Sequence, residues 1–167
     1  LKAVMTDPAS VDDMKAFDMG GVKVATFCAE PVSPAVQQFG MDNICPRYIN
    51  SYWATEHGGM VFSCPWGDHK NLAADAKTWP LPWIQAEVRI ATEHGESGQV
   101  TAWRPAEAGE KGELVITRPY PYLARTIWGD AEHLGEAQWR GDLERFRKVY
   151  FDRWSDGLAY TQGDYAR

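Results

Sequence analysis

A chain of 167 residues can bury about 70% of its unfolded surface around a core, so it needs no disulfide or metal staple, and a small metal-folded module is excluded. With 24% charged and 44% hydrophobic residues the composition is globular, and it lacks the run of about 20 apolar residues that spans a bilayer. The 23 acidic residues outnumber the 17 basic ones and give a net charge of -6, the wrong sign for following a phosphate backbone, so neither nucleic acid nor a membrane surface is expected as a partner.

The N-terminus, Leu1-Lys2-Ala3-Val4-Met5-Thr6-Asp7, has no basic stretch leading into an apolar core and a cleavage site, so it does not read as a secretory address. It also begins without Met, which leads us to expect a piece of something larger. Three cysteines, Cys28, Cys45 and Cys64, show no CxxC pairing, which argues against a disulfide framework or zinc knuckle and favours a reducing, cytoplasmic setting. His57, His69, His94 and His133 lack metal-ligand spacing and read as surface or turn residues. Eight Trp, two of them in Trp79-Pro80-Leu81-Pro82-Trp83, could form a sugar-binding surface or simply fill a core.

In chain order, residues 12–17 are short and polar, and 22–27 (Val-Lys-Val-Ala-Thr-Phe) read as a strand ending at the loop Cys28-Ala29-Glu30-Pro31. A helix follows: Ser33 can cap it, Pro34 suits its first position, and Gly40 is expected to stop it. A second strand, 47–53, is rich in Tyr and Ile and runs into Ala54-Thr55-Glu56-His57-Gly58-Gly59 before an apolar Met60-Val61-Phe62. Strand, helix, strand implies a parallel pair whose following loops sit where α/β proteins place ligands.

From Trp79 onward the pattern turns antiparallel. Residues 85–92 and 99–103, joined at Gly95-Glu96-Ser97-Gly98, form a hairpin, and 112–117 form a third strand after the polar loop 107–111. A helix is expected from an Asp130 cap, with Glu132 in its first turn and Leu134, Ala137, Leu143, Phe146 and Tyr150 on its apolar side, and with a break at Gly141. Residues 158–161 are a last strand candidate. The one expected subdomain boundary lies between residues 63 and 79.

The loop after the second strand carries the most chemistry. Thr55 and Glu56 offer a hydroxyl donor and a carboxylate side by side, and Gly58-Gly59 would let backbone come close to a ligand, a set suited to a phosphate with its magnesium ion. Taken alone, the loop reads more readily as a polar strand-end turn with a solvated Glu, and Asp164 in Gln162-Gly163-Asp164 more readily as a turn residue than as a ligand group.

Read in order, Ala29-Glu30-Pro31, Tyr52-Trp53-Ala54-Thr55-Glu56-His57-Gly58-Gly59, Gly112-Glu113-Leu114-Val115-Ile116, Ala124-Arg125-Thr126-Ile127-Trp128-Gly129-Asp130 and Gly163-Asp164-Tyr165-Ala166-Arg167 resemble successive motifs of AMP-forming acyl-CoA synthetases, most closely the short-chain acetyl- and propionyl-CoA branch. Residues 112–130, with their Pro119-Tyr120-Pro121 insertion, look especially like this branch, and the chain as a whole resembles the ligase part of propionyl-CoA synthases. The resemblance implies a mixed α/β fold, a fragment of the N-terminal domain of adenylate-forming enzymes: an α/β part over 1–75 and an antiparallel, β-rich, distorted-barrel part over 76–167, ending before the hinge and C-terminal domain.

The resemblance also implies roles. A carboxylate attacks the α-phosphate of ATP to give an acyl-adenylate, and the thiol of CoA then displaces AMP. Ala29, Glu30 and Pro31 would border adenine and ribose, with Asn50, Ser51 and Ala54 nearby and Tyr52 against the adenine face. Thr55 would donate to the α-phosphate and Glu56 would hold magnesium, making these two the catalytic pair. Asp164 would accept from the ribose hydroxyls, to which a carboxylate offers several lone pairs. Trp53 would close a short acyl pocket that Cys28 also lines, a steric wall that excludes longer acids.

Several positions depart from the family pattern. Ala29 replaces the usual Gly, Ala54 a Gln, Asn50-Ser51 an Asp-Thr, Trp83 stands where a Gly often follows the Pro, and 140–155 run longer. The phosphate loop would lie before Leu1 and the C-terminal domain with its catalytic Lys after Arg167, so the rest of the parent synthetase is the implied partner and the isolated chain is expected to be inactive. Two other readings remain open on the residues alone: a Trp-rich β-sheet binding module using Trp66, Trp79, Trp83 and Trp103, and a catalytically silent interaction segment of a multidomain synthase.

Overall fold

The computed structural model describes residues 1–64, 72–129 and 140–167; Trp66, His69, Asp130, Glu132, His133, Leu134 and Ala137 lie outside them. The chain divides into two units, Leu1–Thr55 with Gly59–Leu81, and Glu56–Gly58 with Pro82–Arg167.

The first unit opens with two helices, α1 (Lys2–Met5) and α2 (Pro8–Lys15). Asp7 caps α2 by accepting from the Ser10 amide at 3.2 Å, and Pro8 takes the first position, where no N–H is needed. The polar stretch at 12–17 therefore begins on a helix. The first strand, β1, is Ala25–Phe27, shorter than the 22–27 pattern because the Val22 amide is drawn into a turn with the Met19 carbonyl at 2.9 Å.

Helix α3 (Pro34–Asn43) starts as its sequence predicts: the Ser33 side chain accepts from the Val36 amide. It does not stop at Gly40. A Cβ at residue 40 would collide with the Tyr48 ring, so this glycine makes room for close helix–strand packing and the helix runs on for three more residues. Strand β2 (Tyr48–Tyr52) pairs parallel with β1, Ala25 opposite Tyr48 and Phe27 opposite Asn50. Two short strands, β3 (Phe62–Ser63) and β4 (Trp79–Pro80), extend the sheet antiparallel in the order β1-β2-β3-β4. The buried Gln37 amide ties this layer together, donating to the Tyr48 carbonyl at 3.2 Å and accepting from the Ala76 amide at 2.9 Å. A buried side-chain amide needs both ends satisfied, and here it has both.

The second unit is built on β5 (Ala86–His94), β6 (Val100–Pro105), β7 (Gly112–Ile116) and the short β10 (Tyr165–Ala166), antiparallel in the order β10-β7-β5-β6. The hairpin turn closes with the Gly95 amide on the Gln99 carbonyl at 2.8 Å and Gly98 at φ 82°. Gly112 opens β7 because a Cβ there would lie 2.7 Å from the Arg89 carbonyl. Between β7 and β10 lie β8 (Ile127–Gly129) and β9 (Arg140–Asp142), paired with each other, and α4 (Leu143–Tyr150). The break expected at Gly141 is present, but as a strand rather than a helix kink. Residues 140–142 are strand, Gly141 abuts the Thr126 side chain, and the helix takes Asp142 as its cap through the Arg145 amide at 2.9 Å. The 158–161 segment meets β7 at one bridge, Ile116 to Tyr160.

Val100, Val115, Trp154 and Ala159 form the fully buried core, with Ala91 and Trp103 packed on it. Arg89, 6% exposed, runs through this layer. Its guanidinium sits 4.7 Å from the Trp103 ring centre and 5.4 Å from that of Trp154, and it bonds Glu87 at 2.9 Å and Asp156 at 2.8 Å. A buried guanidinium is tolerable only with such pairing. The core takes Trp103 away from the Trp-rich binding surface considered above, whereas Trp79 and Trp83 are exposed.

Candidate functional site

On the first unit, the register that sets Phe27 beside Asn50 brings the exits of β1 and β2 to one end of the sheet. Cys28, Ala29, Glu30 and Pro31 therefore leave the sheet next to Ser51, Tyr52, Trp53, Ala54 and Thr55, as parallel topology requires. Ala29 adopts φ 75°, a left-handed conformation that costs an L-residue about 1–2 kcal/mol and that a glycine adopts freely. The Asn50 side chain donates to the Ala76 carbonyl at 2.8 Å and the Ser51 hydroxyl, 1% exposed, to the Phe27 carbonyl at 3.3 Å. Both side chains thus hold backbone. Tyr52 meets Phe62 edge-on at 5.9 Å between ring centres, the Cys28 thiol is free and half-buried, and Trp53 is 44% exposed.

Residues Thr55–His57 form one 3-10 turn, with Thr55 exposed and Glu56 half-buried. On the second unit, the Glu56 carbonyl accepts from the Ala124 amide at 3.0 Å, and the His57 carbonyl accepts from the Tyr120 hydroxyl at 3.2 Å. Gly58, at φ 74°, has no room for a Cβ because the Tyr122 carbonyl occupies that space. Close approach of backbone was expected here for a ligand; at Gly58 it serves the chain's own Tyr122 loop, which packs against the turn.

The Glu56 carboxylate is held from two sides. The Tyr150 hydroxyl donates to Oε1 at 2.6 Å and the Gln162 amide to Oε2 at 3.3 Å. The Tyr150 bond leads in pulling the Glu56 pKa below its ordinary value, while burial, reinforced by that same bond, pushes Tyr150 up to about 12. His57 lies in a turn, one of the two roles its sequence suggests, but it is not on the surface. It is 1% exposed and packs 5.2 Å from Tyr160, and burial pulls its pKa down to about 4 against the charges of Glu56 and Asp164. It is a neutral imidazole at neutral pH, and its surroundings feel both candidate carboxylates.

Asp164 is exposed and follows Gly163 at φ 77°. Its carbonyl accepts from the Leu114 amide at 2.8 Å. A buried acid anchors the approach to it: Glu113 accepts from the Thr161 hydroxyl at 2.8 Å and from Arg153 at 3.2 Å, and the same Thr161 oxygen takes the Gly163 amide at 3.2 Å. Tyr150, Tyr160, Gln162 and Glu113 escaped sequence reasoning. Tyr150 reads in sequence as one more apolar helix position, and nothing local announces its distant acceptor.

The AMP-binding enzyme family matches residues 2–128. The chain belongs to that family. Among curated relatives, it is 32% identical over 168 residues to the acetyl-coenzyme A synthetase of Ralstonia nicotianae, covering 98% of this chain and 22% of that protein. It is 31% identical over 154 residues to that of Cupriavidus necator, covering 90% and 20%. Its fold is that of a solved long-chain-fatty-acid-CoA ligase from Archaeoglobus fulgidus, with a TM-score of 0.52, 21% identity, and coverage of 94% of this chain and 29% of that one. The chain therefore spans about a fifth of the length of these curated relatives. Among the described residues no helix is long and apolar enough to cross a membrane, and no group of three or more His, Cys, Asp or Glu is arranged to hold a metal ion.

Proposed function

We propose that this chain is the later part of the N-terminal domain of a cytoplasmic AMP-forming acyl-CoA synthetase, an acid–thiol ligase, with subdomain parts 1–75 and 76–167. Its substrates are ATP, CoA and a short-chain carboxylate such as propionate, 3-hydroxypropionate or acetate, as in the ligase part of a propionyl-CoA synthase. Its partner is the rest of the parent synthetase, which supplies the phosphate-loop region and the C-terminal domain. The observation that carries the reading is the half-buried Glu56 carboxylate, held charged by the Tyr150 hydroxyl at 2.6 Å and next in sequence to the exposed Thr55.

A single carboxylate fits magnesium, which is commonly held by one or two carboxylates together with substrate phosphates and water. Glu56 would hold it, and the ion when bound supplies charge neutralisation on the phosphates. Thr55 donates to the α-phosphate, where negative charge gathers as the substrate carboxylate oxygen attacks phosphorus and pyrophosphate leaves. Tyr52 offers a flat face to adenine, and Ala29, Glu30, Pro31, Asn50, Ser51 and Ala54 border the nucleotide, the last three chiefly through backbone. Asp164 accepts from the ribose hydroxyls. Trp53 and Cys28 line the acyl pocket, so a bulky exposed indole limits chain length. CoA thiolate attack on the acyl carbonyl then releases AMP.

In the full-length synthetase, Glu56→Ala should lower carboxylate-dependent ATP–pyrophosphate exchange about 10²–10³-fold, and Trp53→Gly should shift the preferred acid to longer chains. An unchanged chain-length profile would remove the pocket assignment. Carboxylate-dependent pyrophosphate release by the isolated chain would overturn the fragment reading.

A further inference from the structure

The two oxygens of Glu56 are treated unequally. Oε1 takes the Tyr150 hydroxyl at 2.6 Å, a short charge-assisted bond, whereas among the described residues the side-chain donor to Oε2 is the Gln162 amide at 3.3 Å, beyond the range of a good N–H···O bond. The two donors are also anchored differently. Tyr150 closes α4 with its ring stacked on Tyr160 at 5.4 Å and 16° and set against Phe146 at 5.3 Å, so packing holds the phenol whether or not Glu56 answers. Gln162 gives its other N–H to the Tyr160 hydroxyl at 2.8 Å, and Tyr160 is 2% exposed. When Oε2 is taken by something else, Gln162 keeps its stronger partner and is not left unpaired.

We propose that Tyr150 is a positioning residue that fixes the Glu56 rotamer through Oε1 so that Oε2 is the oxygen presented to a divalent cation, with Gln162 as a placeholder that yields Oε2 on binding. The inference rests on the reading of Glu56 as the cation-holding residue. Tyr150 touches neither cation nor nucleotide in this arrangement; it acts through Glu56. An outer partner of a ligating carboxylate typically governs about 10–100-fold in metal affinity, whereas loss of a weak, competing bond leaves affinity unchanged or slightly higher.

The test uses the full-length synthetase with Mn²⁺ as probe in the presence of ATP, with free Mn²⁺ read by electron paramagnetic resonance and the carboxylate KM and melting temperature recorded alongside. Tyr150→Phe, which keeps the stacked ring and removes the hydroxyl, should weaken Mn²⁺ at least about 10-fold with carboxylate KM unchanged. Gln162→Met should leave Mn²⁺ affinity unchanged or raise it. If Glu56→Ala weakens Mn²⁺ and Tyr150→Phe does not, the positioning role is overturned while the reading of Glu56 stands. If Glu56→Ala has no effect, that reading itself fails. Should Tyr150→Phe lower the melting temperature enough to obscure binding, Gln162→Met decides, because a loss of 10-fold or more there contradicts its role as a placeholder.

Discussion

In the strand–helix–strand unit the candidate residues lie at the ends of two parallel strands and on the backbone leaving them, and the side chains of Asn50 and Ser51 are given to holding that backbone. In the antiparallel unit the candidate carboxylates are placed by other side chains: Tyr150 and Gln162 on Glu56, and Glu113 with Thr161 ahead of Asp164. The first arrangement follows from strand register and survives most side-chain changes. The second depends on partners far apart in sequence, and its precision depends on the core beneath it. Recognition of a flat base can rest on backbone, whereas holding a cation needs a fixed charge.

The contrast can be broken most severely at Trp154, wholly buried in the core of the antiparallel unit. Trp154→Ala should cost about 3–5 kcal/mol in urea unfolding, and a loss below about 1 kcal/mol would show that this core does not carry the unit.

Next in size is Asp156, which pairs with buried Arg89 at 2.8 Å. Although burial opposes ionisation, bonds from Arg89 and from the Leu158 and Ala159 amides bring its pKa below 3.8. The unfolded chain then binds this proton more readily than the native one, so stability is fully present above pH 3.8 and is lost as pH falls below it. Asp156→Asn should cost about 2 kcal/mol at pH 7, with the difference from wild type shrinking in unfolding experiments run below that pH. A cost that stays constant on acidification would dissociate the pair from stability.

The smallest effect sharpens the other side of the comparison. Ala29→Gly relieves a left-handed alanine at φ 75° but adds freedom to the unfolded chain, and should raise stability by about 0.5–1 kcal/mol. A decrease would mean that the turn is not strained at this residue.

Much of the fold is legible locally. Ser33-Pro34 starts α3, the apolar runs around residues 25 and 50 pair in parallel, and glycines at 95 and 98 close the hairpin, because caps, turns and alternation are properties of neighbouring residues. The misreadings have one origin. Gly40 looks like a helix stop, and 140–142 look like a break within one helix rather than a strand, because the deciding partners, Tyr48 and the strand Ile127–Gly129, act through packing and pairing rather than through sequence neighbours. At the site, the order of motifs points to Thr55, Glu56 and Asp164 without any geometry.

By itself, then, the sequence determines the family and the chemical groups offered, since each motif is a run of adjacent residues whose types and order are legible without geometry. The tertiary structure alone decides how those groups are held. Glu56 meets its two donors across 94 and 106 residues, and His57, an unremarkable turn residue in sequence, is neutral because folding buries it. Distances of that kind are set by which surfaces pack together, and no local pattern encodes them.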